Sequence, residues 1–140
     1  MSKNKITIIN NIIHSDELKL ALCDDNYHHV LWFGASWCSP CQQGQKNLYE
    51  LSDLYQPKNK PINVYKIDIE NDQIMADIDA SETSKIKVLS SVKKIPTILY
   101  FKDNSEQPDK RIRGVDKNDI IELLSSIDTL QSNLSEITDF

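Results

Sequence analysis

Apolar residues along this chain fall into two rhythms. Val30 to Phe33 form a short, nearly continuous apolar run closed by Gly34, as expected of a strand buried on both faces of a sheet. "INVYKIDI", residues 62 to 69, reads as a second strand, and "ITIIN" near the start as an earlier one. Between the first two, residues 39 to about 56 carry Leu48, Leu51 and Tyr55 at spacings of three and four, with Pro57 just beyond, which predicts a helix. Strand, helix, strand with the helix as crossover makes a parallel βαβ unit. A shorter helix, capped by Ser15 or Asp16, is expected over Ser15 to Cys23.

Further along, "TILYF" (97–101) and "DKRIR" (109–113) flank the turn-forming "KDNSEQP", a β-hairpin with its second strand on a sheet edge. Asp116 stands as N-cap before a helix whose apolar face is Ile120, Ile121, Leu123, Leu124 and Ile127. Residues 71–92 mix apolar positions with a polar middle, "DASETSK", and predict one helix, an exposed insertion and a second short helix. The last 13 residues are polar and either extend the final helix or fray. One domain is expected over 1–127, its insertion within about 71–92, with 128–140 as a polar tail or helix extension. The chain of 140 residues suffices for one sizeable core.

Composition narrows the function. Hydrophobic residues make up 39% and charged residues 26%, which predicts a packed globular fold. A net charge of −5, with basic runs no longer than pairs such as Lys93-Lys94, argues against general nucleic-acid binding. No apolar stretch approaches the roughly 20 residues of a membrane span, and the N-terminus lacks a signal-peptide pattern. A reducing, cytosol-like compartment is therefore expected. There, three cysteines do not read as a disulfide framework, and a CxxC reads as metal-binding or redox-active.

The pair is Cys38 and Cys41, in "VLWFGASWCSPCQQ". Three apart on a helix, they share one face and their sulfurs can meet. Cys38 falls at the strand-to-helix junction, where unpaired backbone N–H groups and the helix dipole favour an anion such as a thiolate. Pro40 suits the first helical turn, where its missing N–H costs nothing. Cys41, one turn deeper, is expected to stay a thiol until needed. Cys38 then attacks a substrate disulfide, and Cys41 resolves the mixed disulfide. A zinc site needs three or four ligands, and Cys23, His14, His28 and His29 lack the spacing, so no metal is expected.

With these elements in place, "FGASWCSPC", "VYKIDIE" and "IPTILYFKD" resemble the active-site strand and helix, the following central strand and the cis-proline strand of the thioredoxin family, over roughly residues 5 to 127. The resemblance implies an α/β thioredoxin fold, a central mixed β-sheet flanked by helices in a single domain. It implies a protein thiol–disulfide oxidoreductase, with Cys38 attacking, Cys41 resolving, and Ser39 and Pro40 between them. Trp37 would be the exposed flanking aromatic, Pro96 the cis-proline that turns the backbone of Ile95 toward an extended substrate, and Gly114 the glycine of the groove. Lys66 matches a lysine near the dithiol in many members. No bound cofactor is implied. Partners would be protein disulfide substrates and a separate reductase, acting on a monomer in the cytoplasm, or in a virion if the source is viral. Reduction of substrates is the expected direction. A disulfide oxidase or isomerase, and a non-catalytic thioredoxin-like binding module, are the alternatives.

The chain departs from the family pattern in four places. Trp32 stands where many members bury an Asp beneath the cysteines, Ser39 replaces the usual Gly, Lys46 replaces the kinking Pro of the helix, and Lys66 to Pro96 is longer than in a compact member. Trp32 is expected in or near the core, Cys23 as a small buried hydrophobe, and His28 and His29 on the surface just before the central strand.

Overall fold

Alternation along three strands builds the molecule. In the computed structural model, which describes residues 5–10, 15–58, 60–102, 108–113 and 115–138, the elements run β1 (Ile6–Ile9), α1 (Ser15–Leu22), β2 (His28–Gly34), α2 (Ser39–Leu54), β3 (Ile62–Asp68), α3 (Asp72–Ala80), α4 (Ser84–Lys87), a 3₁₀ turn (Val88–Ser91), β4 (Thr97–Phe101), β5 (Lys110–Ile112) and α5 (Lys117–Thr138). The strand order is β1-β3-β2-β4-β5. β3 runs parallel to both β1 and β2, β4 is antiparallel to β2, and β5 is antiparallel to β4. This is the expected mixed sheet, with the second hairpin strand on an edge.

Because strand side chains alternate, Val30 and Trp32 of β2, Val64 of β3, and Ile98 and Tyr100 of β4 point to one face. There they meet Leu48 and Leu51 of α2 and Ile120, Leu123, Leu124 and Ile127 of α5. Leu31, Phe33, Tyr65, Ile67, Leu99 and Phe101 point to the other face, against Leu18 and Leu22 of α1, Ile74 and Ile78 of α3, Ile86 of α4 and Leu89. Both cores are close to fully buried, which is why the central strands read as continuous apolar runs.

The segment 71–92 has the expected order of helix, polar stretch and second short helix, with Asp79, Ala80 and Glu82 exposed in the middle. Asn71 caps α3 by accepting from the N–H groups of Gln73 and Ile74, and only Ser81 to Thr83 separate α3 from α4. Ile74, Ile78, Ile86, Leu89 and Val92 line the second core, so most of the extra length is packed helix. At the other end α5 continues to Thr138, so the polar C-terminus extends the helix as far as it is described.

Two expectations about the end of the sheet far from the cysteines are corrected. His28 and His29 are each only 2% exposed. β2 starts at His28, already paired with β3 on one side and reaching β4 on the other from His29, so both rings lie inside the sandwich. The His28 ring meets Tyr100 edge-on, and His29 stacks on Tyr65. His29 Nε2 lies 2.6 Å from the Asp24 carbonyl, an acceptor only, and Nδ1 lies 3.3 Å from the Tyr65 hydroxyl. The Nε2–H tautomer satisfies both contacts. Cys23 is exposed rather than buried: Leu18 and Leu22 define the inward stripe of α1, and the next residue turns away from it.

Candidate active site

The dithiol sits where β2 hands over to α2. Cys38 has the extended backbone of an N-cap, with φ −89° and ψ 108°, and its N–H donates to the Ala35 carbonyl at 3.3 Å. Its Sγ takes the place that a Ser or Asp oxygen usually holds at a helix start, accepting from the Cys41 N–H at 3.2 Å. Pro40 occupies the first turn of α2, so no donor is wasted on the ring nitrogen. Gln42 closes the junction by donating from its side chain to the Ser36 carbonyl at 2.7 Å.

Cys38 and Cys41 are joined as a disulfide, with their Cα atoms 5.1 Å apart. Cys38 is 5% exposed and Cys41 1%, so the sulfur a partner reaches first belongs to Cys38. Trp37, 65% exposed beside it, presents an indole to solvent, and Ser39 and Pro40 are exposed as well. When the pair is reduced, a backbone N–H and the start of a 16-residue helix face the Cys38 sulfur, an arrangement that favours its thiolate.

Pro96 follows a cis peptide bond from Ile95, directly before the β4 residue Thr97 that pairs with Phe33 of β2. Ile95 packs against both cores, one of which contains Cys38 and Cys41. Thus the end of β2 and the start of β4 bring Trp37, the disulfide, Ile95 and Pro96 to one end of the sheet. Arg113 was not singled out in the sequence, yet it donates to the carbonyls of Ile95 at 2.8 Å and Pro96 at 3.2 Å. Gly114 lies outside the described residues.

Beneath the dithiol, Trp32 is 4% exposed in the core, and its Nε1–H has no acceptor among the described residues. The indole leans over Gly34: a Cβ built there would fall under 3.0 Å from Cη2 and Cζ3 and 3.1 Å from Cζ2. Lys66, two residues along β3 from Val64 and on the same face, places Nζ 5.3 Å from the Trp32 ring centre and 5.6 Å from that of Tyr49. Partial burial pushes the Lys66 ammonium below its ordinary pKa, while Asp68 pulls it back up. Trp32, Gly34, Lys66 and Asp68 line an open cleft of about 230 Å³ with Asn10 and Gln42. The Trp32–Gly34 contact could have been suspected from a glycine directly after an otherwise bulky buried run.

A strand-to-helix corner carrying a vicinal cysteine pair that forms a disulfide, on a five-stranded mixed sheet covered on both faces, defines a dithiol–disulfide exchange protein. The thioredoxin family model matches residues 10–126. Thioredoxin of Staphylococcus saprophyticus is 32% identical over 104 residues, covering 72% of this chain and 86% of that protein. Among solved structures, thioredoxin O1 from Arabidopsis thaliana in the oxidised state superposes with a TM-score of 0.60 at 23% identity, covering 88% of this chain and 97% of that one. Thioredoxin NaTrxh from Nicotiana alata gives 0.63 at 20% identity, covering 90% and 96%. The chain belongs to the thioredoxin family and is a protein thiol–disulfide oxidoreductase whose redox pair is Cys38 and Cys41. No helix among the described residues is long and apolar enough to cross a membrane, and no group of three or more metal-ligating side chains occurs among them.

Proposed function

We propose that the chain works as a reductant of protein disulfides, drawing electrons from a separate reductase as a monomer in a reducing, cytosol-like compartment. The observation that carries the proposal is the cap geometry: the Cys38 sulfur is the acceptor at the start of α2, and Cys41 lies one turn deeper and almost fully buried. Cys38 thiolate attacks one sulfur of a substrate disulfide, and the other substrate sulfur leaves as a thiolate that takes a proton from solvent. Cys41 then loses its proton and attacks Cys38 Sγ. The second substrate sulfur departs, two electrons have moved to the substrate, and the Cys38–Cys41 disulfide remains.

Trp37, Ile95, Pro96 and Gly114 form the proposed groove for an extended substrate segment, with Ser39 and Pro40 setting the distance between the sulfurs. Lys66 supports the resolving step electrostatically: its Nζ lies 5.3 Å from the centre of the Trp32 ring, at the position where many relatives bury a carboxylate, and Trp32 cannot accept a proton.

Equilibration against glutathione buffers, read by thiol trapping, tests the direction. A potential near −270 mV, roughly the thioredoxin level, supports the reductant role, and one between about −180 and −120 mV assigns the chain to disulfide donation or shuffling. Cys38→Ser is expected to abolish disulfide reduction, and Cys41→Ser to accumulate mixed disulfides. Turnover unchanged in Cys38→Ser would refute the mechanism. Retention of partners by the double serine variant, with negligible wild-type turnover, would point to a binding module instead.

A further inference from the structure

Beside the proposed groove, on the side away from Lys66, lies a second cleft of about 340 Å³ lined by Lys93, Lys94, Arg111 and Arg113, with Ser91 and Thr97 among its other walls. The topology explains the convergence. Arg111 of β5 sits opposite Leu99 in the β4–β5 ladder, and Leu99 faces the second core, so Arg111 projects toward the segment 91–94 that leads into β4, and Arg113, just beyond the end of β5, lines the same cleft. Arg111 donates to Ser91 Oγ at 3.2 Å, which fixes one wall against the other. Arg113 is committed to the carbonyls of Ile95 and Pro96, which ties the cleft directly to the groove.

Charge makes this cleft unusual for the molecule. The chain has 21 acidic against 16 basic residues, yet among the described residues no acidic side chain lines the cleft. An ion pair between Lys117 and Glu50 lies elsewhere on the molecule. Lys93, Lys94, Arg111 and Arg113 are all exposed. A cluster of like charges repels itself and gains when an anion enters. The opposite rim of the dithiol carries Asp68 and Glu70, the latter accepting from Ser36, so the field across the groove has a direction.

We infer that the Lys93–Lys94–Arg111 cleft is a specificity surface that docks acidic side chains flanking the disulfide of a substrate protein. The inference rests on the reductant reading above and names its substrate class. An extended segment pairing beside Ile95 and Pro96 would continue past Arg113, and Asp or Glu residues a few positions from the reacting cysteine would enter the cleft.

Three disulfide peptides with the same central sequence, flanked by Glu, Lys or Ser, provide the test. In kcat/KM the wild type is expected to favour the Glu peptide over the Ser peptide by about tenfold at low ionic strength, the size expected of three solvent-screened ion pairs. That preference should collapse near 1 M salt, where the Debye length is roughly 3 Å. Lys93→Gln/Lys94→Gln/Arg111→Gln should abolish the preference while turning over the Ser peptide within about twofold of wild type, and Lys93→Glu/Lys94→Glu should favour the Lys peptide. Absence of a wild-type preference, an equal loss on all three peptides, or a loss confined to the step with the reductase would overturn the inference. Direct binding of the alkylated Glu peptide to the oxidised protein keeps the two readings apart. Salt-sensitive binding that the triple variant loses would uphold the cleft even if the wild type reduced no peptide, and equal binding by both proteins would sink it.

Discussion

Trp32 and Gly34 should behave as one unit. Adding a single methyl with Gly34→Ala puts Cβ under 3.0 Å from two carbons of the Trp32 ring and 3.1 Å from a third. The obstacle is the rigid far edge of an indole that is itself 4% exposed in the core, so it cannot swing aside as a lysine tip would. Overpacking of this kind costs about 1–3 kcal/mol, and the rigidity of the obstacle argues for the upper end. Ala also loses less backbone entropy on folding than Gly, which returns roughly 0.5–1 kcal/mol. The net destabilisation of Gly34→Ala is therefore about 2 kcal/mol. Trp32→Leu alone removes much of a buried aromatic and should cost about 3 kcal/mol. In the double variant the methyl meets no ring, so the two costs should fail to add by about 2–3 kcal/mol. Urea unfolding of the oxidised proteins, followed by far-UV circular dichroism so that loss of the tryptophan does not distort the signal, measures all four corners of the cycle. Additivity within about 0.5 kcal/mol, or a neutral Gly34→Ala, would show that the indole does not hold the place the structure gives it.

Three further expectations concern charges and a buried amide. Burial lowers the Lys66 pKa from its ordinary 10.5, so between the folded value and 10.5 the unfolded chain binds more protons and stability rises with pH. The stability of oxidised wild type relative to Lys66→Met should accordingly climb toward pH 10.5, and a flat difference in urea midpoints from pH 7 to 10.5 would contradict this. Arg113→Met removes two charged donations to the Ile95 and Pro96 carbonyls and should lower kcat/KM for peptide disulfides by about tenfold, mainly through KM; an effect on kcat alone would argue against a groove role. Asn47, buried on α2, donates to the Val115 carbonyl at 2.8 Å. Asn47→Ala orphans that acceptor at a cost of about 1–2 kcal/mol, a fall in Tm of roughly 3–6 °C, and an unchanged Tm would mean that solvent replaces the amide.

The sheet was legible because its strands obey one physical rule. A strand covered on both faces needs apolar residues at odd and even positions alike, and Val30–Phe33 and Ile98–Phe101 supply them. The dithiol was legible for a similar reason: a cysteine at a strand-to-helix corner followed by Pro40 has few other uses. What escaped the sequence depended on neighbours distant along the chain. His28 and His29 look polar until Tyr100 and Tyr65 are placed against them. Arg113 looks like a solvated edge charge until Ile95 and Pro96 turn their carbonyls to it. In 71–92 the helix, polar stretch and short helix were legible, but that Ile74, Ile78, Ile86 and Leu89 form one buried stripe shows only once a sheet face stands beneath them.

Trp32 separates two tasks that a buried carboxylate would combine. The Cys38 thiolate is supported by the start of α2, through the Cys41 N–H and the helix dipole, and neither depends on residue 32. Cys41 is the group that loses a proton in the interior, and an indole offers it no base. In the proposed mechanism the substitution therefore leaves the attack of Cys38 largely intact and places its effect on resolution. Lys66 is desolvated over the Trp32 ring, and in the proposed mechanism it lowers the cost of a transient Cys41 thiolate by its charge and takes up the proton only in its minor neutral form. Mixed disulfides in this protein should accordingly outlive those of relatives that carry the carboxylate. A longer-lived mixed disulfide gives a docking surface such as the Lys93–Lys94–Arg111 cleft more time to discriminate between partners, so slower resolution and charge-based selection reinforce each other.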